Sequence, residues 1–247
     1  MTIRAVFFDL GSTLWHMPQP PPVEQIRTET VSRIFGLLRS WDVEPTGGLR
    51  FLGRDIRLAT EAALKEAYAG DLVEPHYMGL ARDAAAAQGV DLTPEQGEQL
   101  WETWNLGGPF FGRRLFDDAI ETLSALREKG YRIGCVTNRS YGGPTFVEEV
   151  EAHGLADFFE VTAVSCDFGY MKPHPKIYQH ALDALDIEAG ETAMVGDSLR
   201  ADVEGAQALG MTGIWRRQPN SREQVNGVRP DFTVDRLSEI PQLACFT

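Results

Sequence analysis

Four short segments of the chain carry side chains that could act together on a phosphate group. They contain Asp9, Thr137 with Asn138, Lys172, and Asp197 with Asp202. Carboxylates are hard oxygen ligands of the kind that Mg²⁺ prefers, and a lysine beside the metal ion could neutralise phosphate charge. Asp9 could then attack phosphorus as a nucleophile. Each segment alone has a simpler explanation, because aspartate, asparagine and serine are common in turns and helix caps.

The elements that must hold these segments are buried strands of a parallel sheet. A nearly unbroken apolar run ends at Asp9 and consists of Ile3, Ala5, Val6, Phe7 and Phe8. Small loop-forming residues follow it, which predicts a strand buried on both faces. Further strands are predicted over 131–137, 161–165, 193–195, 212–215 and 232–234, and helices over 116–130, 142–154, 176–185 and 199–209. This alternation predicts an α/β fold with a doubly wound, Rossmann-like parallel sheet. Ligands of such sheets bind beyond the carboxyl ends of the strands, so we expect the four segments to meet there.

Residues 15–114 differ in character and predict an all-helical insert. Helices are predicted over 23–41, 49–69, 75–88 and 94–105. Clustered prolines near 15–22 and a Gly-Gly-Pro sequence within 107–114 predict the hinges at the two ends of the insert. The expected organisation is an α/β core of residues 1–14 and 115–247, interrupted by this helical domain. After Gln218 the sequence predicts a loop, the short strand at 232–234 and a final helix.

Composition and charge limit the class of partner. The 247 residues carry 36 Asp and Glu against 23 Lys and Arg, a net charge of −13, which argues against nucleic acid and anionic membrane surfaces as partners. No apolar run reaches the roughly 20 residues of a membrane span. The three cysteines lack metal-type spacing and are typical of free thiols in a reducing compartment, so we expect a cytoplasmic protein. A monomer and a homodimer both remain open.

In this order, the four segments resemble the motifs of the haloacid dehalogenase-like superfamily. The match comprises the loop Asp9–Leu14, the turn at Thr137, the Lys172-Pro173 loop and the acidic segment from Gly196 to Asp202. The resemblance implies a Mg²⁺-dependent phosphatase that acts on a small phosphorylated metabolite through an aspartyl-phosphate intermediate. It also implies that the helical insert is a cap, although no motif of that insert is recognisable.

The resemblance further implies a role for each residue. Asp9 is the nucleophile, and Thr137 and Lys172 are catalytic residues that bind the phosphate and orient Asp9. The implied metal ligands are Asp9, the carbonyl of Gly11, Asp197 and Asp202, with Asp202 in a supporting position. The implied substrate-binding residues are Gly11, Ser12, Thr137, Asn138 and Lys172.

Gly11 departs from the phosphatase pattern of the superfamily. Phosphatases of this kind usually carry a second aspartate two residues after the nucleophile, which serves as general acid and base. Glycine still offers a carbonyl to a metal ion but no proton, and general acid–base catalysis is worth roughly 10²–10⁴-fold. We therefore expect slowed turnover, or a substrate whose leaving group needs less protonation. His16 is a further hypothesis for the missing proton donor, since imidazole titrates in the appropriate range.

Two alternatives within the same fold remain open. A non-catalytic protein that binds a phosphorylated ligand or a partner would explain Gly11, although the charges of Asp9, Lys172 and Asp197 would be costly to bury without a metal or ligand. A 2-haloacid dehalogenase would also tolerate Gly11, because a leaving halide needs no proton. That branch, however, does not keep the acidic segment that this chain retains.

A third alternative comes from the sequence Gly-Asp-Ser-Leu at residues 196–199, which is also the signature of a serine esterase family. That family needs a histidine downstream of the serine to activate it, and no histidine of this chain follows His180. Ser198 is therefore predicted to cap a helix instead of acting as a nucleophile.

Overall fold

The computed structural model of the chain describes residues 2–43, 45, 48–219 and 227–246. The chain divides into two compact units, one formed by Met1–His16 with Arg114–Thr247 and the other by Met17–Arg113. The first unit contains the main sheet and the second is helical. Within the described ranges, every helix is too short or too polar to cross a lipid bilayer.

A six-stranded parallel sheet forms the centre of the first unit and confirms the predicted fold class. The described strands are β1 (Ala5–Phe8), β2 (Trp15–His16), β3 (Arg114–Leu115), β4 (Arg132–Thr137), β5 (Val161–Val164), β6 (Thr192–Gly196), β7 (Thr212–Arg216) and β8 (Phe232–Val234). The order across the sheet is β5-β4-β1-β6-β7-β8, and every neighbouring pair is parallel. β1 is therefore a central strand, with β4 on one side and β6 on the other.

Both faces of this sheet are buried, which explains the unbroken apolar runs in the sequence. Val6 and Phe8 of β1 belong to one hydrophobic cluster, and Ala5 and Phe7 belong to a second cluster. Successive side chains of a strand point to opposite faces, so the two clusters lie on opposite sides of the sheet. Complete burial of a phenylalanine side chain contributes about 1.5–3 kcal/mol, and Phe7 and Phe8 thus hold the strand that ends at Asp9.

The described residues of the second unit form five helices. They are α1 (Val23–Ser40), α2 (Leu49–Ala69), α3 (Tyr77–Ala86), α4 (Pro94–Trp104) and α5 (Gly107–Phe110). α4 begins with a capping box, in which Gln96 N donates to Thr93 Oγ1 and Thr93 N donates to the Gln96 side chain. Tyr77 and Trp101 stack with ring centroids 4.8 Å apart and join α3 to α4. The four long helices agree with the sequence prediction, while α5 occupies part of the segment 107–114 that was predicted as a hinge.

A small antiparallel ribbon forms close to the two predicted ends of the helical insert. Trp15 of β2 lies opposite Leu115 of β3, and His16 lies opposite Arg114. Phe116 follows the ribbon, and its ring stacks on that of His16 with centroids 4.3 Å apart. Main-chain pairing and aromatic stacking therefore join the two chain segments that meet in this ribbon.

The helices of the first unit are α6 (Ala119–Glu128), α7 (Gly143–Ala152), α8 (Ser165–Phe168), α9 (Pro175–Ala184) and α10 (Gly205–Gln207). Three sequence predictions need correction. The helix predicted from residue 116 begins at Ala119, after the turn that follows the ribbon. The helix predicted over 199–209 is a π-helix at Leu199–Glu204 followed by α10, because the Ser198 carbonyl accepts from Val203 N as well as from Asp202 N.

The third correction concerns the final helix. It consists of two 3₁₀ segments, Leu237–Gln242 and Ala244–Phe246, and Pro241 within the first has no N–H to donate. The short strand predicted at 232–234 is present as β8. Residues 220–226 of the predicted loop after Gln218 lie outside the described residues.

Candidate active site

The carboxyl ends of three neighbouring strands carry predicted site residues. Asp9 follows β1, Thr137 ends β4, and Asp197 follows β6. These strands are adjacent and parallel, so their carboxyl ends lie at one edge of the sheet. Lys172 reaches the same edge from the loop between α8 and α9. The topology thus brings all four predicted segments together.

The ammonium group of Lys172 is the centre of this arrangement. Its three protons have three acceptors, which are Asp9 Oδ1 at 2.8 Å, Asp202 Oδ1 at 2.6 Å and the Val136 carbonyl at 2.6 Å. The residue is only 2% exposed. A buried cation is tolerated only where charges and hydrogen bonds are matched, as they are here. Lys172 therefore fixes the carboxylates of Asp9 and Asp202 relative to each other.

Three carboxylates converge at this edge. Asp9, Asp197 and Asp202 each offer one oxygen, and the three oxygens lie within 4.8 Å of one another. Three negative charges against the single positive charge of Lys172 leave an excess of two, which suits a divalent cation. The donors are all carboxylate oxygens, the ligand type that Mg²⁺ favours. The residues present therefore fit a divalent metal ion.

Burial and charge together set the protonation of the Lys172–Asp202 pair. Burial raises the pKa of Asp202 to about 6, with Lys172 opposing that rise and Asp9 adding to it. Burial acts to lower the pKa of Lys172, but the charges of Asp202 and Asp9 outweigh it and raise the pKa. Lys172 is therefore cationic throughout the neutral range.

Asp202 is held by the turn that precedes it. Its Oδ2 accepts a 2.9 Å hydrogen bond from Ser198 N. Ser198 in turn accepts from Ala201 N at 3.1 Å, which confirms the predicted helix cap. A Cβ atom on Gly196 would lie 2.0 Å from the carboxyl carbon of Asp202, so only glycine leaves room for this carboxylate.

The carboxamide of Asn138, which the sequence assigned to substrate binding, engages the main chain of Lys172. Its Nδ2 donates to the Lys172 carbonyl at 3.0 Å, and its Oδ1 accepts from Lys172 N at 2.7 Å. This pair of bonds ties the segment after β4 to the loop that carries Lys172. Thr137, the preceding residue, is 1% exposed at the end of β4.

The loop after Asp9 is a compact turn. The amides of Thr13, Leu14 and Trp15 all donate to the Leu10 carbonyl, at 3.2, 3.0 and 3.0 Å. Thr13 is fully buried, and its hydroxyl lies 3.4 Å from Asp9 Oδ2. A Cβ atom added to Gly11 would have no atom within 4 Å, so steric crowding does not require glycine at this position.

Sequence reasoning missed the residues that brace the segment after Thr137. Ser165 Oγ accepts from Arg139 N at 2.8 Å and donates to the Arg139 carbonyl at 3.2 Å. Asp167 Oδ2 accepts from Gly143 N at 3.1 Å, at the start of α7. Ser165 directly follows β5 and Asp167 lies two residues further on, so the strand-end rule that identified Asp9 could have identified them. The ring of His16, the hypothetical proton donor, lies in the stack with Phe116.

Comparison with known proteins identifies the family to which this fold belongs. The chain belongs to the haloacid dehalogenase-like hydrolase family, whose model matches residues 3–210. The crystal structure of a phosphatase of this family from Thermococcus onnurineus is similar, with a TM-score of 0.58 and 25% identity over 97% of both chains. A 2-haloacid dehalogenase from Pseudomonas syringae has a TM-score of 0.70 over 98% of this chain and 97% of its own, at 23% identity. The second likeness concerns the fold alone.

Among curated proteins, the chain is similar to a glyceraldehyde 3-phosphate phosphatase from Pyrococcus abyssi. The two are 42% identical over 98 residues, which are 39% of this chain and 40% of the relative. The match thus spans less than half the length of that relative.

Proposed function

We propose that this protein is a Mg²⁺-dependent phosphatase that hydrolyses a small phosphorylated metabolite through an aspartyl-phosphate intermediate. The observation that carries the proposal is the shared site of Asp9, Asp197, Asp202 and Lys172, where three carboxylate oxygens lie within 4.8 Å of one another beside a buried ammonium group. Membership of a family that includes phosphatases adds support. The acidic residue Asp197 favours phosphate chemistry over dehalogenation.

Two carboxylates and one carbonyl are the proposed metal ligands. Asp9 and Asp197 would hold the ion together with the carbonyl of Gly11. Both oxygens of Asp202 already accept hydrogen bonds, from Lys172 and from Ser198 N, so we assign Asp202 a supporting role. When bound, Mg²⁺ would offset the negative charge of the phosphate oxygens in the transition state.

The proposed reaction has two displacements at phosphorus. A carboxylate oxygen of Asp9 attacks, the phosphorus–oxygen bond to the leaving group breaks, and the departing oxygen carries away the electron pair. Water then attacks the aspartyl phosphate, which releases inorganic phosphate and restores Asp9. The hydroxyl of Thr137 would bind a phosphate oxygen, and the positive charge of Lys172 would attract the phosphate, since both residues lie at the edge of the sheet where Asp9 stands.

We further propose that Gly11 stands where related phosphatases carry the general acid and base. The leaving oxygen then departs without a proton from this position, which favours substrates with acidic leaving groups such as acyl or aryl phosphates. The helical unit Met17–Arg113 is proposed to be the cap that selects the substrate. We propose a monomer or a homodimer as the functional form.

Hydrolysis of p-nitrophenyl phosphate and acetyl phosphate, with and without Mg²⁺, tests the proposal. The parent protein should be active only with the metal, and Asp9→Asn should be inactive while remaining folded. Asp183→Asn is the matched control, because Asp183 is an exposed residue of α9 whose carboxylate accepts a hydrogen bond from Gln179 Nε2. With ³²P-labelled acetyl phosphate, acid-quenched parent protein should retain label and Asp9→Asn should not.

Two other outcomes would assign a different function. Mg²⁺-dependent binding of phosphate without turnover of any phosphorylated compound would indicate the non-catalytic alternative. Chelator-resistant release of chloride from 2-chloropropionate would indicate a dehalogenase. If the phosphatase is confirmed, a panel of phosphorylated metabolites identifies the substrate class.

A further inference from the structure

Arg216, the last residue of β7, is a buried arginine at the edge of the sheet that carries the site. It is 5% exposed. Its Nη1 donates to the Ser12 carbonyl at 3.3 Å, and its Cζ lies 3.8 Å from the centroid of the Phe116 ring. Arg216 forms no ion pair within the described part of the chain. A buried guanidinium is costly, so its placement against a main-chain carbonyl of the loop after Asp9 calls for a reason.

Ser12 is the residue of this loop that most needs external support. Its φ of 57° lies in the left-handed region, which non-glycine residues adopt at a cost. Its carbonyl accepts from two side chains, those of Arg216 at the end of β7 and of Gln218 two residues later. The Leu10 carbonyl accepts hydrogen bonds from amides of the loop itself, whereas the Ser12 carbonyl accepts from these two side chains outside the loop.

Arg216 also connects this loop to the β2–β3 ribbon. The Phe116 ring lies against the guanidinium of Arg216. The same ring stacks on the ring of His16, and the two ring centroids are 4.3 Å apart. His16 belongs to β2, which begins one residue after Leu14 at the end of the loop. Arg216 therefore contacts the loop in two ways. It donates directly to the Ser12 carbonyl, and it packs on Phe116, which stacks on His16 in the strand after the loop.

We infer that Arg216 is a positioning residue that fixes the Ser12 peptide, and thereby the Gly11 carbonyl and Asp9, in the geometry that binds the metal ion. The metal part of this inference rests on the proposed function. The loop part does not, because the order of the loop can be measured without metal or substrate. Gln218, which carries no charge, donates to the same Ser12 carbonyl and is inferred to position it as well.

Arg216 could affect Mg²⁺ binding through its charge or through its position, and the two effects have opposite signs. Burial lowers the pKa of Arg216, and the negative charges of Asp118, Asp197 and Asp235 act against that decrease. Arg216 therefore lies within electrostatic range of Asp197, a proposed metal ligand. A nearby positive charge by itself repels a cation. If charge were its only effect, removing Arg216 would strengthen Mg²⁺ binding, whereas loss of positioning would weaken it.

Amide hydrogen exchange of the metal-free protein tests the loop. In Arg216→Met, which keeps a long side chain against Phe116, exchange at Thr13, Leu14 and Trp15 should accelerate about tenfold or more. Arg217→Met is the matched control, because the adjacent Arg217 is exposed and pairs with Asp235. That control should exchange like the parent at these three amides. Unchanged exchange in Arg216→Met would overturn the inference whether or not the protein is a phosphatase.

Calorimetric titration with Mg²⁺ tests the consequence for the metal. Arg216→Met should bind Mg²⁺ about tenfold more weakly than the parent, and Gln218→Ala should change affinity in the same direction without a change of charge. Arg216→Lys, which keeps the charge and can still donate to Ser12, should recover part of the affinity. Tighter binding by Arg216→Met would overturn the positioning role. Absence of Mg²⁺ binding by the parent would instead contradict the proposed function, and the exchange rates would still decide the role of Arg216.

Discussion

Lys172 and Asp202, 30 residues apart in the chain, are joined by a 2.6 Å hydrogen bond between two side chains that are each 2% exposed. The same ammonium group lies 2.8 Å from Asp9. Neither carboxylate has another cation within salt-bridge distance in the described part of the chain. One cation thus compensates two buried anions at the place where the proposed nucleophile stands.

Replacing Lys172 with methionine should therefore affect stability as well as activity. Loss of the cation leaves the carboxylates of Asp9 and Asp202 buried and uncompensated, so we expect unfolding to become easier by about 3–5 kcal/mol. Turnover of acetyl phosphate should fall by about 10²-fold or more, because the phosphate loses a fixed positive charge. Urea unfolding and steady-state kinetics measure the two effects. Lys176→Met, at an exposed lysine that donates to the Tyr170 hydroxyl, should change neither.

A double variant separates these two effects of Lys172. Lys172→Met with Asp202→Asn removes one buried anion together with the cation, so it should recover part of the lost stability. It should recover no turnover, because the positive charge at the phosphate site is still missing. Recovery of turnover would show that Lys172 acts only through the fold.

The two glycines of the site should differ sharply in their tolerance of alanine. At Gly196 the new Cβ would lie 2.0 Å from the carboxyl carbon of Asp202, so Gly196→Ala must displace that carboxylate. We expect a loss of about 1–3 kcal/mol and a large decrease in kcat. A Cβ atom added to Gly11 would have no atom within 4 Å apart from its chain neighbours. Gly11→Ala should therefore unfold at nearly the same urea concentration as the parent. Equal effects of the two variants would contradict the packing described here.

Gly11→Asp should improve turnover of substrates with poor leaving groups. The open space beside Gly11 admits a side chain, and a carboxyl group there could donate a proton to the departing oxygen. General acid catalysis is worth roughly 10²–10⁴-fold, so kcat for an alkyl phosphate should rise more than kcat for acetyl phosphate. Gly11→Asn is the control, since it has nearly the same shape without a proton to transfer. A similar gain in both variants would point to binding and away from proton transfer.

The raised pKa of Asp202 predicts a pH dependence of stability in the metal-free protein. With a pKa of about 6, against about 3.9 for an unfolded aspartate, the native state binds a proton more tightly than the unfolded chain. This group therefore increases the free energy of unfolding as pH falls from about 6 towards about 4, and the gain is lost as pH rises. Urea unfolding in chelator measures it.

Asp202→Asn lacks this titration, so comparison with the parent isolates it. The difference in the free energy of unfolding between parent and variant should move in the parent's favour as pH falls through about 6. A difference that stays constant across this range would show that Asp202 is ionised throughout, despite its burial.

The sequence by itself determined the class of fold and predicted which segments carry the candidate site residues. Buried apolar runs such as Ala5–Phe8, followed by polar loop residues, are local patterns, and strand ends in a parallel sheet meet at one edge. The sequence therefore predicted that Asp9, Thr137 and Asp197 lie at one edge of the sheet, and Lys172 joins them from a loop between two helices. The fold class, confirmed by the structure, followed from the same alternation of strands and helices.

Only the tertiary structure decided how these residues are used. The carboxamide of Asn138 bonds to the main chain of Lys172, 34 residues away, and Arg216 bonds to Ser12 across 204 residues. The two hydrogen bonds join residues far apart in sequence, so no local sequence pattern specifies them. Packing also decides whether a glycine is required. Residue 196 must be glycine because the Asp202 carboxylate lies against it, whereas the space around Gly11 would admit a side chain. The local sequence therefore indicates which residues could belong to the site, and tertiary packing determines which residue each of them contacts.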